Sequence, residues 1–187
     1  MIDSDIFKKG WESKETPCGW GSELQHTRYI RNDLPLLIKQ YNIKTINDAG
    51  CGDLNWIKHI DLINIDYVGY DIIKRDSWNN TNLRCKTFDI SQDIMRPCDL
   101  IICRDVFIHI PNSIILQILS LFKQSSKLLL STMFDISSNS NINLMRPMNI
   151  TKTHSKLDLK LSPFNLEPLN FKIKEDYPNK YSQLYNL

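Results

Sequence analysis

No long hydrophobic run occurs in the sequence. None approaches the ~18 apolar residues of a membrane span, so no membrane association is expected. The opening stretch MIDSDIFKKGWESK has no apolar centre and does not read as a secretory signal. Charge of one sign is not in excess: 23 Lys and Arg stand against 21 Asp and Glu, a net of +2. A strongly basic nucleic-acid binder is therefore not expected, although a local patch remains compatible. The five cysteines form no CxxC pair and no Cys/His spacing of a zinc site. An odd number without pairing rhythm reads as reduced thiols in a cytoplasm. There is no GK[ST], which excludes a P-loop, and there is no internal repeat or low-complexity linker.

What remains is ordinary globular composition. The chain has 187 residues, 42% of them hydrophobic, enough to bury a core without staples. It reads as one domain, residues 1–187, with an N-terminal helical cap (1–42), a core (43–134) and a loop with a closing hairpin (135–187). Breakers Pro17, Gly19 and Gly21 keep the first 22 residues irregular. Ser22 can cap a helix from Glu23 to about Tyr41, with Leu24, Ile30, Leu34, Leu37 and Ile38 at helical spacing and Pro35 expected to kink or divide it. KTIND reads as a first strand, LNWIKHI as the start of a helix, and DYVGYDI and RCKTFDI as further strands. CDLIICRDV is nearly all apolar, as a strand buried on both faces should be. A helix over 112–125, capped by Asn112 or Ser113, precedes the strand KLLLSTMF. Strands alternating with helix-sized gaps predict a doubly wound, mostly parallel α/β sheet. LNFKIKE and KYSQLYNL then close it as a hairpin around Pro178 and Asn179.

The stretch TINDAGCGDLNWI, Thr45 to Ile57, follows the first strand, where open α/β sheets bind ligands. Gly50 and Gly52 permit tight turning and close backbone approach. A dinucleotide fingerprint would need a third glycine, but Asn55 stands at that position. Asp53 within the loop and Asp48 before it would repel a pyrophosphate. The loop suits a nucleoside that carries positive charge and no phosphate, as S-adenosylmethionine does with its ammonium and sulfonium.

DAGCGDLNW resembles motif I of the class I S-adenosylmethionine-dependent methyltransferases. YVGYDI, FDIS and DLIICRDVFIHIP follow in that family's order and spacing, so the resemblance spans about residues 43–134. It implies a Rossmann-like sheet of order 3-2-1-4-5-7-6 with strand 7 antiparallel, although the family's helix between strands 6 and 7 is missing here. It also implies S-adenosylmethionine as cofactor. Gly50, Cys51 and Gly52 form the loop beneath the cofactor, with Cys51 a small packing residue rather than a nucleophile. Asp48 faces the ammonium directly or through water. Asp71 takes the ribose hydroxyls, Ile72 lies on the adenine face, and Asp89 and Ile90 form the adenine-reading segment. CGWGSELQHTRYIRNDLP, CRDVFIHIP and RPMNI add a narrower likeness to small bacterial and phage methyltransferases. Some methyltransferases of this size are associated with capsular-polysaccharide O-methyl phosphoramidate.

Arg104 and Asp105 end the fourth strand and face the ligand crevice, Arg104 as a candidate cofactor contact and Asp105 as the second choice of general base after His109. If VFIHI is helical, His109 shares a face with Asp105 and is a candidate general base that Asp105 orients. The alternative is a histidine that hydrogen-bonds backbone in a half-buried turn. No metal is expected, although Asp105 and His109 could hold a divalent ion with His26 or Glu23. Arg28 and Arg31 are candidates for the cofactor carboxylate, with Arg31 favoured, against the alternative of a solvated helix face. His26 is a candidate acceptor contact. Residues 146–160 carry four basic side chains against Asp158, which suits an anionic acceptor. Arg146, Asn149 and His154 are the candidate contacts there, and a solvated loop is the plainer reading. DPPY and NPPY are absent, which disfavours DNA amino-methylation. The expected activity is methyl transfer to a small molecule at oxygen. Nitrogen methylation of a protein or nucleotide, or a non-catalytic cofactor-binding subunit, stand as alternatives.

Overall fold

The computed structural model describes residues 13–139 and 156–187. Seven strands form one sheet: β1 (Thr45–Ala49), β2 (Asp66–Asp71), β3 (Arg84–Thr87), β4 (Leu100–Cys103), β5 (Leu128–Phe134), β6 (Glu167–Lys174) and β7 (Lys180–Asn186). Their order is β3-β2-β1-β4-β5-β7-β6, as the family resemblance implies. β1 to β5 are parallel, whereas β7 pairs antiparallel with both β5 and β6.

Side-chain alternation along the central strands divides the core into two layers. Ile101, Leu129 and Tyr185 join the cluster under helix α2 (Asn112–Phe122), which contributes Ile115, Ile118, Leu119 and Phe122. Leu100, Ile102, Leu130 and Leu184 face the other way, toward Ile30, Leu34 and Leu37 of helix α1 (Arg28–Gln40). β4 is buried at every residue, so its uninterrupted apolar run is explained by cover on both faces. Asp99 fixes the adjoining edge: one carboxylate oxygen accepts from the backbone N–H groups of Lys44 and Thr45 and from the Thr45 hydroxyl.

Helix boundaries differ from the sequence reading. α1 starts at Arg28 rather than Glu23, because Trp20–Ser22 forms a 3-10 turn and the Thr27 hydroxyl bonds the Glu23 carbonyl. Pro35 lies inside α1 without dividing it. LNWIKHI makes only a 3-10 turn, Ile57–His59, instead of opening a helix. The tighter turn lets Leu54, Trp56, Ile57 and Ile60 all reach the core. Pro111 occupies the cap position of α2, and Asn112 is its first helical residue. Residues 175–179 make a turn between β6 and β7, with Asn179 at φ 57, so a hairpin replaces the helix usual there. Among the described residues no helix is long and apolar enough to cross a membrane.

Candidate active site

The carboxyl ends of β1, β2 and β4, the start of β7 and the segment 17–22 enclose a cavity of about 400 Å³. Its floor is the glycine loop. Gly50 has φ +87, and a Cβ there would lie 2.3 Å from Val106 Cγ2. Gly52 has φ +60, and its Cβ would lie 2.7 Å from Cys18 Sγ. Both positions therefore need glycine for conformation and for space. The Cys51 side chain turns away, into the room left by Gly69 on β2, where it meets Cys85 of β3.

Four acids ring this floor. Asp48 is buried and accepts a hydrogen bond from the Tyr67 hydroxyl at 2.7 Å. Burial pushes its carboxyl up to about 7, against the pull of Tyr67. Asp71 accepts from the backbone N–H of Gly52 and of Ile73, each at 2.9 Å. Burial raises its pKa too, partly offset by those two bonds. Each oxygen keeps a further lone pair for a ligand hydroxyl. Trp78 donates its indole N–H to the Gly52 carbonyl at 2.8 Å and holds the loop from outside. Asp89 accepts from the backbone N–H and hydroxyl of Ser91, and Ile72, Phe88 and Ile90 add apolar lining beside it.

Asp105 stands at φ 58 with its carboxylate bonded to the Thr132 hydroxyl at 2.9 Å and to Lys180 Nζ at 2.8 Å. Arg104 lies 3.5 Å from it. Burial alone would raise Asp105, but Lys180 and Arg104 outweigh it and hold the carboxyl well below its usual range. Arg104 itself is buried and forked onto Glu175, Nε to Oε1 at 3.0 Å and Nη2 to Oε2 at 2.7 Å, with Nη1 donating to the Gly21 carbonyl at 2.9 Å. Burial opposes its charge, but Glu175 and Asp105 keep it firmly protonated. Arg104 thus ties the segment before α1 to the β6–β7 turn and forms part of the cavity wall.

His109 lines the cavity from the 3-10 turn Phe107–His109 and is buried, with its backbone N–H bonded to the Val106 carbonyl. Arg31 and His26 are not brought to the cavity. Arg31 donates to the Leu24 carbonyl at 2.9 Å and to Thr27, because the shorter α1 leaves those groups to be satisfied. His26 stacks on Trp20 and bonds Asp176 through Nδ1 at 2.9 Å, so it braces the wall instead of facing in. Arg28 also pairs with Asp176. Among the described residues no three His, Cys, Asp or Glu side chains gather as a metal ion would need. Arg146, Asn149 and His154 lie outside the described residues.

The sequence reading missed Trp20, Arg75, Tyr177 and Lys180, all of which line the cavity. The doublet Gly19 and Gly21 around Trp20 was a usable signal for a chain segment approaching the loop closely. A lone lysine opening a strand gives none.

No curated protein matches the chain. Among solved structures, the N-methyltransferase NodS from Bradyrhizobium japonicum WM9, in complex with S-adenosyl-L-homocysteine, superimposes with a TM-score of 0.60 at 9% identity, covering 85% of this chain and 86% of that one. Magnesium protoporphyrin IX methyltransferase from Synechocystis PCC 6803 with bound SAH gives 0.58 at 15% identity over 97% of this chain and 90% of that one. An S-adenosylmethionine-dependent methyltransferase from Clostridium acetobutylicum ATCC 824 gives 0.59 at 12% identity over 86% and 91%. At these identities the likeness is one of fold. A family model described as a methyltransferase domain matches residues 23–160, most of the chain and every strand from β1 to β5, and the chain therefore belongs to the methyltransferase-domain family.

Proposed function

We propose that the protein transfers a methyl group from S-adenosylmethionine to an oxygen of a small anionic or sugar-linked metabolite in the cytoplasm, a class that includes capsular phosphoramidates. The observation that carries this reading is the acidic glycine floor: Asp48 and Asp71 flank Gly50 and Gly52, which line the cavity and whose missing Cβ atoms let Val106 and Cys18 pack against the tight loop. Such a floor attracts an ammonium and a sulfonium and repels a diphosphate. The bound cofactor supplies a methyl already activated for in-line displacement.

The chain's residues position and polarise. Asp71 accepts the ribose hydroxyls. Asp89, Ile72 and Ile90 hold the adenine, and Asp48 faces the ammonium. Arg104 fixes the wall between the segment before α1 and β4. Asp105 anchors Lys180 and does not act as base, because the two cations beside it hold its carboxyl ionised and weakly basic. That leaves His109 to take the proton of a hydroxyl acceptor. Alignment of donor and acceptor supplies the rest of the rate.

A second reading follows from Lys180, whose ammonium lines the same cavity. An acceptor oxygen that is already anionic would be drawn there and would need no base. His109→Ala separates the two. With S-adenosylhomocysteine affinity unchanged by calorimetry, a fall in turnover of about a hundredfold or more supports the base. Turnover within a few-fold of wild type favours the anionic acceptor.

A further inference from the structure

The cavity has two ends, set by sheet order. Asp89 and Asp71 follow β3 and β2 on one side, whereas Tyr177 and Lys180 belong to β7 and the turn before it, on the other. The cofactor reading uses the first end and the glycine floor. The second end is bounded by Trp20, Gly21, Asp105, His109, Tyr177 and Lys180.

Two large aromatic rings stand at this second end and remain open to water: Trp20 is 51% exposed and Tyr177 37%. They are held as one rim. The Trp20 ring lies 3.5 Å, centroid to centroid, from the His26 imidazole. Nδ1 of that imidazole bonds Asp176 at 2.9 Å, and Tyr177 is the next residue. Phe134 braces the Tyr177 ring edge-on at 6.0 Å. Exposed aromatic surface grouped at a cavity mouth marks a binding face. Beneath the rim the lining turns ionic, with Lys180 Nζ 2.8 Å from Asp105 and His109 alongside.

A ligand that satisfies both levels must be apolar on a flat face and hydrogen-bonding at its edge. An aromatic ring carries hydrogen-bonding groups at only one or two positions of its edge, whereas a pyranose carries hydroxyls all round it, and an open-chain phosphate would leave the rings bare. We infer that Trp20 and Tyr177 form an acceptor subsite for a pyranose ring, whose C–H face lies on the aromatic rim and whose hydroxyl edge points to His109 and Lys180. This rests on the methyl-transfer reading, because the other end of the cavity must be taken by the cofactor.

The test uses the full chain loaded with S-adenosylhomocysteine, with methyl β-D-glucopyranoside and methyl β-D-glucopyranosiduronate as probes. Comparators are 4-hydroxybenzoate and glycerol 3-phosphate. Saturation-transfer NMR titration should show pyranoside binding with contact on ring C–H protons. Trp20→Ala and Tyr177→Ala should each weaken it by roughly fivefold, and Trp20→Phe should recover part of the loss. The S-adenosylhomocysteine affinity of each variant, measured by calorimetry, should match wild type and so report a folded protein. Binding of the comparators alone, binding of no probe, or indifference to both alanine variants overturns the subsite while leaving methyl transfer standing. Failure of the wild type to bind S-adenosylhomocysteine overturns the cofactor reading itself.

Discussion

Cofactor affinity should depend on pH through Asp48. Burial raises its carboxyl from an ordinary 3.8 to about 7, so near neutrality it is half protonated in the free protein. A ligand ammonium docked against it favours the ionised form. The apparent dissociation constant is then the intrinsic one divided by the ionised fraction. That fraction is about 0.09 at pH 6 and about 0.76 at pH 7.5 for a group titrating near 7. S-adenosylhomocysteine should therefore bind about eightfold more tightly at the higher pH, or ~1.2 kcal/mol. Stability of the free protein should run the other way. An acid whose folded value lies above its unfolded one contributes stability that is full below pH 3.8 and lost as pH rises through 7. The span, about three pH units, is on the order of 4 kcal/mol. Calorimetric titration in buffers of differing ionisation heat, with wild type and Asp48→Asn side by side, reads both the affinity and the proton released. The variant should show a flat profile and weaker binding at the higher pH. A wild-type affinity unchanged across the range, or an Asp48→Asn protein with the wild-type slope, would refute the placement of the ammonium.

Asp71→Ala should weaken S-adenosylhomocysteine by at least about tenfold, ~1.4 kcal/mol by calorimetry, and unchanged affinity would reject the ribose assignment. Gly50→Ala places a methyl 2.3 Å from Val106 Cγ2 at φ +87 and should abolish measurable binding. Adding Val106→Ala should recover only part, since the backbone cost of about 1–2 kcal/mol remains. Lys180→Met strips Asp105 of its 2.8 Å partner and should cost about 3 kcal/mol in urea melts, with Asp105→Asn restoring much of it. In the wild type the Asp105 contribution is full above its ordinary 3.8 and disappears only as pH falls below that value through its lowered folded one.

Much of the sheet could be read from the chain because local pattern and tertiary role coincide there. β4 is apolar at every residue and buried at every residue, and Asp48, Asp71 and Asp89, each at or next to a strand end, line the cavity. The misreadings share one cause, competition between local and distant partners. Apolar spacing in LNWIKHI fits a helix, yet core contact selects a 3-10 turn. His26 and Arg31 sit beside a predicted helix start and looked available. Asp176, 150 residues away from His26, takes the imidazole, and the Leu24 carbonyl takes the guanidinium. Lys180 is separated from Asp105 by 75 residues, and no spacing rule links a strand lysine to an acid at that distance.

The antiparallel insertion of β7 between β5 and β6 has a consequence for biosynthesis. β5 is a central strand, yet its partner on one side lies about fifty residues downstream. During translation its hydrogen-bonding edge and the Leu129 and Leu130 surface stay open until β7 leaves the ribosome, a window in which chaperone capture or misassociation competes with completion of the sheet. The same strand delivers Lys180, so the nearer of the two cations beside Asp105 arrives only in that final step.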